Sequence, residues 1–479
     1  MFAICVVAFE ALLLPYRFLF SSPSSVEWPA TSFDALEPGS GDDWMAQDDR
    51  GVPSDEREHL SKLHEICMTE NQAIIPWKAG HVREPRPVLH RGDAGVLDEL
   101  RRCPDVDVFM SGSVRRREDC EDAAAYVKFL ESRLLPLWAI TDVFFDPDAN
   151  RSVTYHDLCP DTPMLFATDD WDGLPDSSEW PKSKPIYVTP NVEKEELNVD
   201  RANVVLCKTL GCQSRVTKRL SEQGNPNSAK VLYTRHTTSD VAHHARRVLG
   251  PVLLDPKDFN HLRFTHMADA NMDKGTLQVV QSWLARPDLP PLDLYVHEEV
   301  YDALYRGINA SANIVLHRAQ ERAIEVGKIV VESAFFVYPS SVGSYSHSIN
   351  QARASGGIVV TADASPMNEL ISPDMGVLTK ALITSKDFQA DVNPRELSDA
   401  IDYVVRNTTT QQRELMSTRA QRQYHEDTKF FAQRMVDVRR FAREHLPNGG
   451  DFGASRFDGT EAEEHTTLAR HRLRHEGEV

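Results

Sequence analysis

Residues 335–370, FFVYPSSVGSYSHSINQARASGGIVVTADASPMNEL, read as strand, small-residue loop, helix, second strand and the start of a second helix. The apolar run Ala334 to Val337 has strand character, and Pro339 to Ser346 supplies Pro, Gly and several Ser before a helix begins near His347. Small residues let backbone N–H groups approach an anion closely. The helix N-terminus that follows adds roughly half a positive charge from its aligned peptide dipoles. Gly356-Gly357 then closes the helix, Ile358 to Thr361 forms a buried strand, and Pro366 opens the next helix. This is how open α/β sheets hold phosphates.

Outward from this stretch the chain alternates short apolar or β-branched runs with helical or loop segments. Ahead of it lie Val106 to Met110, Ala139 to Phe145, Met164 to Ala167, Pro185 to Val188, Asn203 to Leu206 and Lys230 to Tyr233, then His261 to His266, Leu292 to Val296 and Asn313 to Leu316. Such alternation predicts an α/β fold with doubly wound parallel sheets. At 479 residues the chain is long enough for two such domains, since single cores seldom exceed about 250–300 residues. The loop-like LGPVLLDPKDFN places the boundary near Gly250-Pro251, giving domains at 60–250 and 251–447. Residues 21–59 and 448–479 are Ser-, Pro-, Gly- and Asp-rich or highly charged and read as a disordered stem and tail. Near the end, Tyr424, Phe430, Phe431, Met435, Val438 and Phe441 fall close to helical spacing and predict one helix with a protein-packed stripe.

The segment at 335–370 resembles the donor-binding half of the group 1 glycosyltransferases, retaining family 4-like enzymes of GT-B fold. The likeness takes in Lys274-Gly275-Thr276 with the helix and strand after it, VTPNVEKEELNVDRANVVLCKTLGC, VLYTRHTTSD and TADASPMNEL, together spanning roughly 185–375. The resemblance implies two Rossmann-like domains facing a cleft, and a sugar moved from a nucleotide-sugar co-substrate, with no other cofactor, to a glycan, lipid or protein acceptor. It also implies retention of configuration and no metal.

The same resemblance assigns Lys274 to the leaving diphosphate, with Gly343, Ser344, Tyr345, Ser346, His347, Gln351 and Glu369 around the donor. His236, in YTRHTTSD, is placed beside donor or acceptor as a catalytic candidate. Both carboxylates of the family's Glu-x7-Glu motif are replaced: without gaps the first falls on Gly343 and the second on Gln351. The basic residue usual four positions before the lysine falls on Ala270. Exchanging a charged for a neutral acceptor gives up ~1 kcal/mol of a bond worth about 1.5–3. That loss motivates an alternative, a non-catalytic protein of the same fold that binds a nucleotide sugar or glycan. Glu369 has a plainer reading too, as a first-turn acid favoured by the helix dipole.

A third reading rests on PMLFATDDWDGLP, where Asp170 and Asp172 follow an apolar strand as in transferases that grip a divalent metal and a diphosphate. Hydrolase chemistry lacks a nucleophile-elbow signature. Lys plus Arg at 53 against Asp plus Glu at 72, a net charge of −19, excludes the basic footprint that a nucleic-acid partner demands.

Residues 1–20, MFAICVVAFEALLLPYRFLF, read as a signal peptide or signal anchor interrupted by Glu10, Pro15 and Arg17, which predicts membrane association and residence in the secretory pathway, at the Golgi or ER; the alternative is a cytoplasmic chain with a soluble N-terminal helix. Three sequons, at Asn150, Asn309 and Asn407, would then be open to glycans. The seven cysteines lack metal-site spacing and read by default as buried thiols. In a secretory chain one or two disulfides could form among Cys67, Cys103, Cys120 and Cys159.

Overall fold

The structure, a computed structural model, describes residues 54–70, 72–112, 117–168, 171–191, 199–250, 257–268, 274–308, 313–319, 323–340, 345–383 and 390–444. The first half opens with helix α1 (Ser54–Thr69) and strands β1 (Ile75–Pro76) and β2 (Asp107–Phe109), followed by helix α2 (Arg117–Phe129). Strands β3 (Arg133–Leu135), β4 (Met164–Phe166), β5 (Ile186–Val188) and β6 (Val204–Cys207), helix α3 (Leu210–Gln223), strand β7 (Lys230–Tyr233) and helix α4 (Val241–Leu249) complete it. The sheet order is β1-β3-β2-β4-β5-β6-β7, parallel throughout except for β1.

The second half runs β8 (Phe264–Met267), α5 (Thr276–Ala285), β9 (Leu292–Val296), β10 (Ile314–Arg318), α6 (Ala323–Glu332), β11 (Phe335–Tyr338), α7 (His347–Ala354), β12 (Ile358–Ala362) and β13 (Val377–Thr379). All its strands are parallel in the order β10-β9-β8-β11-β12-β13. Counted within the sheet this is 3-2-1-4-5-6, the Rossmann order.

Side-chain alternation explains why both sheets are buried on two faces. Val108, Leu165 and Leu206 enter one core, while Phe109, Phe166 and Val205 enter the other. In the second sheet Phe335, Val337, Ile358 and Val360 face one side, and Phe336, Tyr338 and Val359 the other. A 35-residue helix, α8 (Thr410–Glu444), ties the halves together. Its Met416 lies in a core of the second half, whereas Phe431, Met435, Val438 and Phe441 lie in a core of the first. A second tie is α4 against α6. A Cβ on Gly327 would stand 2.3 Å from the Val241 carbonyl oxygen, so only glycine permits that approach.

The structure departs from the sequence reading in three places. Helix α1 starts at Ser54, inside the stretch read as stem; its SDEREHL start is rich in charge, which mimics a linker but also suits a helix N-terminus. Of the strand expected over Ala139 to Phe145 only the end is extended, in the short hairpin strand Phe144–Asp146; Leu137–Thr141 is a helix beginning after Pro136, and the sheet strand is β3. The reason is Arg133. A strand with a buried charge escapes an apolar-run search, and Arg133 is buried because its Nε donates to Asp107 Oδ1 at 2.8 Å and Tyr155 donates to the same carboxylate at 2.7 Å. Finally, the default thiol reading gives way to three disulfides, Cys67–Cys120, Cys103–Cys159 and Cys207–Cys212, all in the first half. Among the described residues no helix is long and apolar enough to cross a membrane; residues 1–20 and 448–479 lie outside them.

Candidate functional site

In an open parallel sheet, ligands bind beyond the carboxyl ends of the strands where the order reverses. In the second half that point lies between β8 and β11. The chain re-emerges from β8 at Lys274-Gly275 to start α5, and from β11 at Tyr345 to start α7. Gly275 has φ 76°, and a Cβ there would lie 2.3 Å from the Pro339 carbonyl oxygen. The Lys-Gly turn therefore packs onto the chain leaving β11, which brings Lys274 Nζ to 2.9 Å from Ser348 Oγ in the first turn of α7. Underneath, His266 spans the two elements: Nδ1 lies 2.6 Å from the Val337 carbonyl and Nε2 2.9 Å from Thr276 Oγ1. Burial pushes its imidazole down to about 4, so it is a neutral tie. Ser346 caps α7 through its hydroxyl, which accepts from the Ile349 amide at 3.4 Å. Gly343 and Ser344 lie outside the described residues.

The reversal point of the first sheet lies between β2 and β4, and α2 begins beside it. Its acids Glu118, Glu121 and Asp122, spaced i, i+3 and i+4, share one face. That face meets the second half residue by residue. Glu118 lies 3.3 Å from Lys274 Nζ, with side-chain exposures of 55% and 18%. Glu121 accepts from Gln351 Nε2 at 3.3 Å and from the Ser239 amide and hydroxyl. Asp122 Oδ1 lies 2.8 Å from Nε2 of both His347 and His236, and its other oxygen receives the Lys208 ammonium.

The electrostatics of this buried group follow from its partners. Burial works to raise the Asp122 carboxyl, but Lys208 and the two imidazoles outweigh it and hold Asp122 well below its usual range. His236, boxed by Tyr126, Tyr345 and Phe431, is pushed by burial down to about 4 despite Asp122 and is neutral. His347 goes the other way: burial opposes its charge, yet Asp122, with Glu118 adding to it, holds the ring above its ordinary value. One carboxylate thus faces two imidazoles shifted in opposite directions, His236 pushed down by burial and His347 held up against it.

More contacts cross the seam around this centre. Tyr345 Oη donates to the His236 carbonyl at 2.8 Å, Asn350 Nδ2 to Thr238 Oγ1 at 3.1 Å, and Tyr424 Oη to the Thr238 carbonyl at 2.8 Å. Glu369 accepts from the Leu210 and Gly211 amides at 2.6 and 2.9 Å, at the start of α3 in the opposite half, and from Ser365 Oγ at 2.8 Å. Burial is the larger influence on Glu369 and lifts its carboxyl above the ordinary value against those bonds. The Cys207–Cys212 disulfide encloses the turn that supplies these amides and Lys208.

Asp122, His236 and His347 are also ligand types for a metal, with ligand atoms within 4.8 Å of one another. The 2.8 Å from Asp122 Oδ1 to each ring nitrogen is shorter than the roughly 3.3 Å between neighbouring ligands around a tetrahedral ion bound at about 2.0–2.1 Å. Lys208 lies on the second oxygen and His347 is hydrogen-bonded to the first, while neither ring nitrogen of His236 has a hydrogen-bond partner among the described residues. At the other proposed metal position, Asp172 accepts from Ser111 Oγ at 2.9 Å, and Asp170 lies outside the described residues.

His236, Lys274, Tyr345, Ser346, His347, Gln351 and Glu369 thus all lie along the seam. Glu118, Glu121, Asp122 and Lys208 went unnoticed in the sequence. The only signal was the i, i+3, i+4 spacing of acids in REDCEDAAA, which reads equally as a solvated helix face.

No protein-family model matches this chain, and no curated protein does. Among solved structures it is similar to the pneumococcal O-GlcNAc transferase GtfA in complex with UDP and GlcNAc, at 12% identity and a TM-score of 0.42, over 59% of this chain and 57% of that one. It is also similar to sucrose-phosphate synthase from Thermosynechococcus elongatus, at 12% identity and a TM-score of 0.46, over 66% and 84% of the two chains. A glycosyltransferase from Rickettsia africae matches at 10% identity and a TM-score of 0.46, over 71% and 98%. Two Rossmann-like halves meet with the carboxyl ends of their sheets toward one seam. The fold is of the GT-B type, on strand order and register rather than on these likenesses.

Proposed function

We propose that the protein transfers a sugar from a nucleotide-sugar donor to an acceptor, with the donor held by the second half at the reversal between β8 and β11. The observation that carries this reading is the convergence of Lys274 on the first turn of α7, where an ammonium and a helix N-terminus together favour a diphosphate. Lys274 would stabilise charge on the departing diphosphate, which is where preorganised electrostatics contribute most to rate. Tyr345, Ser346, His347 and the Gly343-Ser344 loop would line the phosphates, Gln351 would approach the ribose, and Glu369 would orient the surrounding loop. His236 would act from the acceptor side, and the domains would divide as 60–250 and 251–447. Retention and independence of metal are part of the proposal, with Asp170 and Asp172 as the site that metal dependence would implicate. Residence in the secretory pathway is supported by the disulfides, which persist in oxidising compartments.

A second reading has its own observation. The side chains expected to hold the donor are engaged by protein groups across the seam: Lys274 by Glu118, His347 by Asp122, Gln351 by Glu121 and Glu369 by two amides. A non-catalytic binding protein built on the same fold would keep these contacts. Incubating the full chain with a panel of nucleotide sugars and acceptors separates the readings. Transfer or donor hydrolysis that survives a chelator supports the enzyme, binding without turnover supports the second reading, and activity lost to the chelator moves the site to Asp170 and Asp172.

A further inference from the structure

A protonated imidazole has two N–H donors, and the described residues supply an acceptor for only one of those on His347. Nε2 donates to Asp122 Oδ1 at 2.8 Å, while Nδ1 is buried without a hydrogen-bond partner. The charged and titratable groups around the ring are Asp122 and Glu118 from α2, Lys208 following β6, His236 following β7, and Tyr345 at a ring separation of 5.2 Å. Among the described residues none takes the second proton. Leaving a buried donor unmatched is unfavourable. This donor stands on the first residue of α7, next to Ser348, whose hydroxyl receives the Lys274 ammonium.

We propose that Asp122 is a positioning residue for the anion site: by gripping Nε2 it presents the Nδ1–H of His347 as the second partner of a bound diphosphate, alongside Lys274. The inference rests on the donor reading above and adds its regulation. Because Asp122 holds the His347 ring above its ordinary value, with Lys208 keeping Asp122 ionised, the contact is complete at mildly acidic pH and is lost as pH rises through the raised His347 value. Diphosphate binding above that value must therefore take up a proton.

Calorimetric titration of inorganic pyrophosphate and of UDP into the full chain, from about pH 6 to about pH 9 in two buffers of different ionisation enthalpy, reads both quantities. Affinity is expected to fall about tenfold across the window, with proton uptake approaching one at its upper end, since a charge-assisted hydrogen bond is lost. Asp122→Asn should move the fall to lower pH, and His347→Gln, which keeps a donor but cannot gain charge, should give a weak and flat profile. If Asp122→Asn does not fold, the proton count on the unaltered protein decides alone. Binding that is independent of pH without proton uptake overturns the role of His347 and Asp122 and leaves the donor reading standing. No binding of either probe at any pH overturns both.

Discussion

The reversal points of the two sheets share a plan and carry opposite charge. In the second half, Lys274 and the ring of His347 stand at the start of α7; in the first, Glu118, Glu121 and Asp122 line the start of α2. Only the second is suited to an anion. The first is its complement, and it faces the second wherever donor phosphates would be expected. The comparison also accounts for a departure noted in the sequence. Gln351 stands where the Glu-x7-Glu pattern, laid on this sequence, has its second glutamate, and its amide donates to Glu121 at 3.3 Å. A carboxylate there would face another carboxylate at that distance. The neutral residue in one half is the counterpart of the acid in the other.

The largest effect should come from breaking the helix that both halves share. Phe431 is fully buried in the first-half core, further along α8 than Met416, and Phe431→Ala should cost about 3–5 kcal/mol, read from denaturant unfolding. If the second half kept its unfolding transition while the first lost stability, the halves would be separable units; a single shifted transition would make them one.

Lys274→Ala tests the basic side of the comparison. Nucleoside-diphosphate affinity should fall about 10- to 100-fold, measured by calorimetry. Unchanged affinity would place the anion elsewhere.

Gln351→Glu tests the acidic side. Two facing carboxylates should destabilise the protein by about 1–3 kcal/mol. The added acid would have a raised folded-state value, so the loss should be absent at acidic pH and grow as pH rises. Adding Glu121→Gln should restore stability, and failure of that rescue would mean the two residues do not meet as described.

The smallest effect belongs to Glu118→Gln. Glu118 is half exposed and solvent screens it, so little stability is at stake. Removing the carboxylate beside Lys274 should still tighten pyrophosphate binding by a few fold, and weaker binding would show that Glu118 helps the anion site rather than opposing it.

Much of the second half was legible in the sequence, because its strands are continuous apolar runs buried on both faces and its turns are marked by glycine and proline. Ile358 to Thr361 and Leu292 to Val296 are such runs, and Gly275 marks a turn that tolerates no side chain. The first half was less legible where charge is buried. Arg133 hid a strand because its partner, Asp107, lies 26 residues away, and the charge-rich start of α1 passed for a linker.

By itself the sequence determined two alternating α/β halves and the residues that open α5 and α7, because period, turn chemistry and capping are local properties. Only the tertiary structure decided that Asp122 would hold one histidine above its ordinary value while burial lowered another, that Glu121 would face Gln351, and that Glu369 would meet the start of α3. Those outcomes depend on distances between residues as many as 230 positions apart and on the exclusion of water between them, and neither is written in any local pattern.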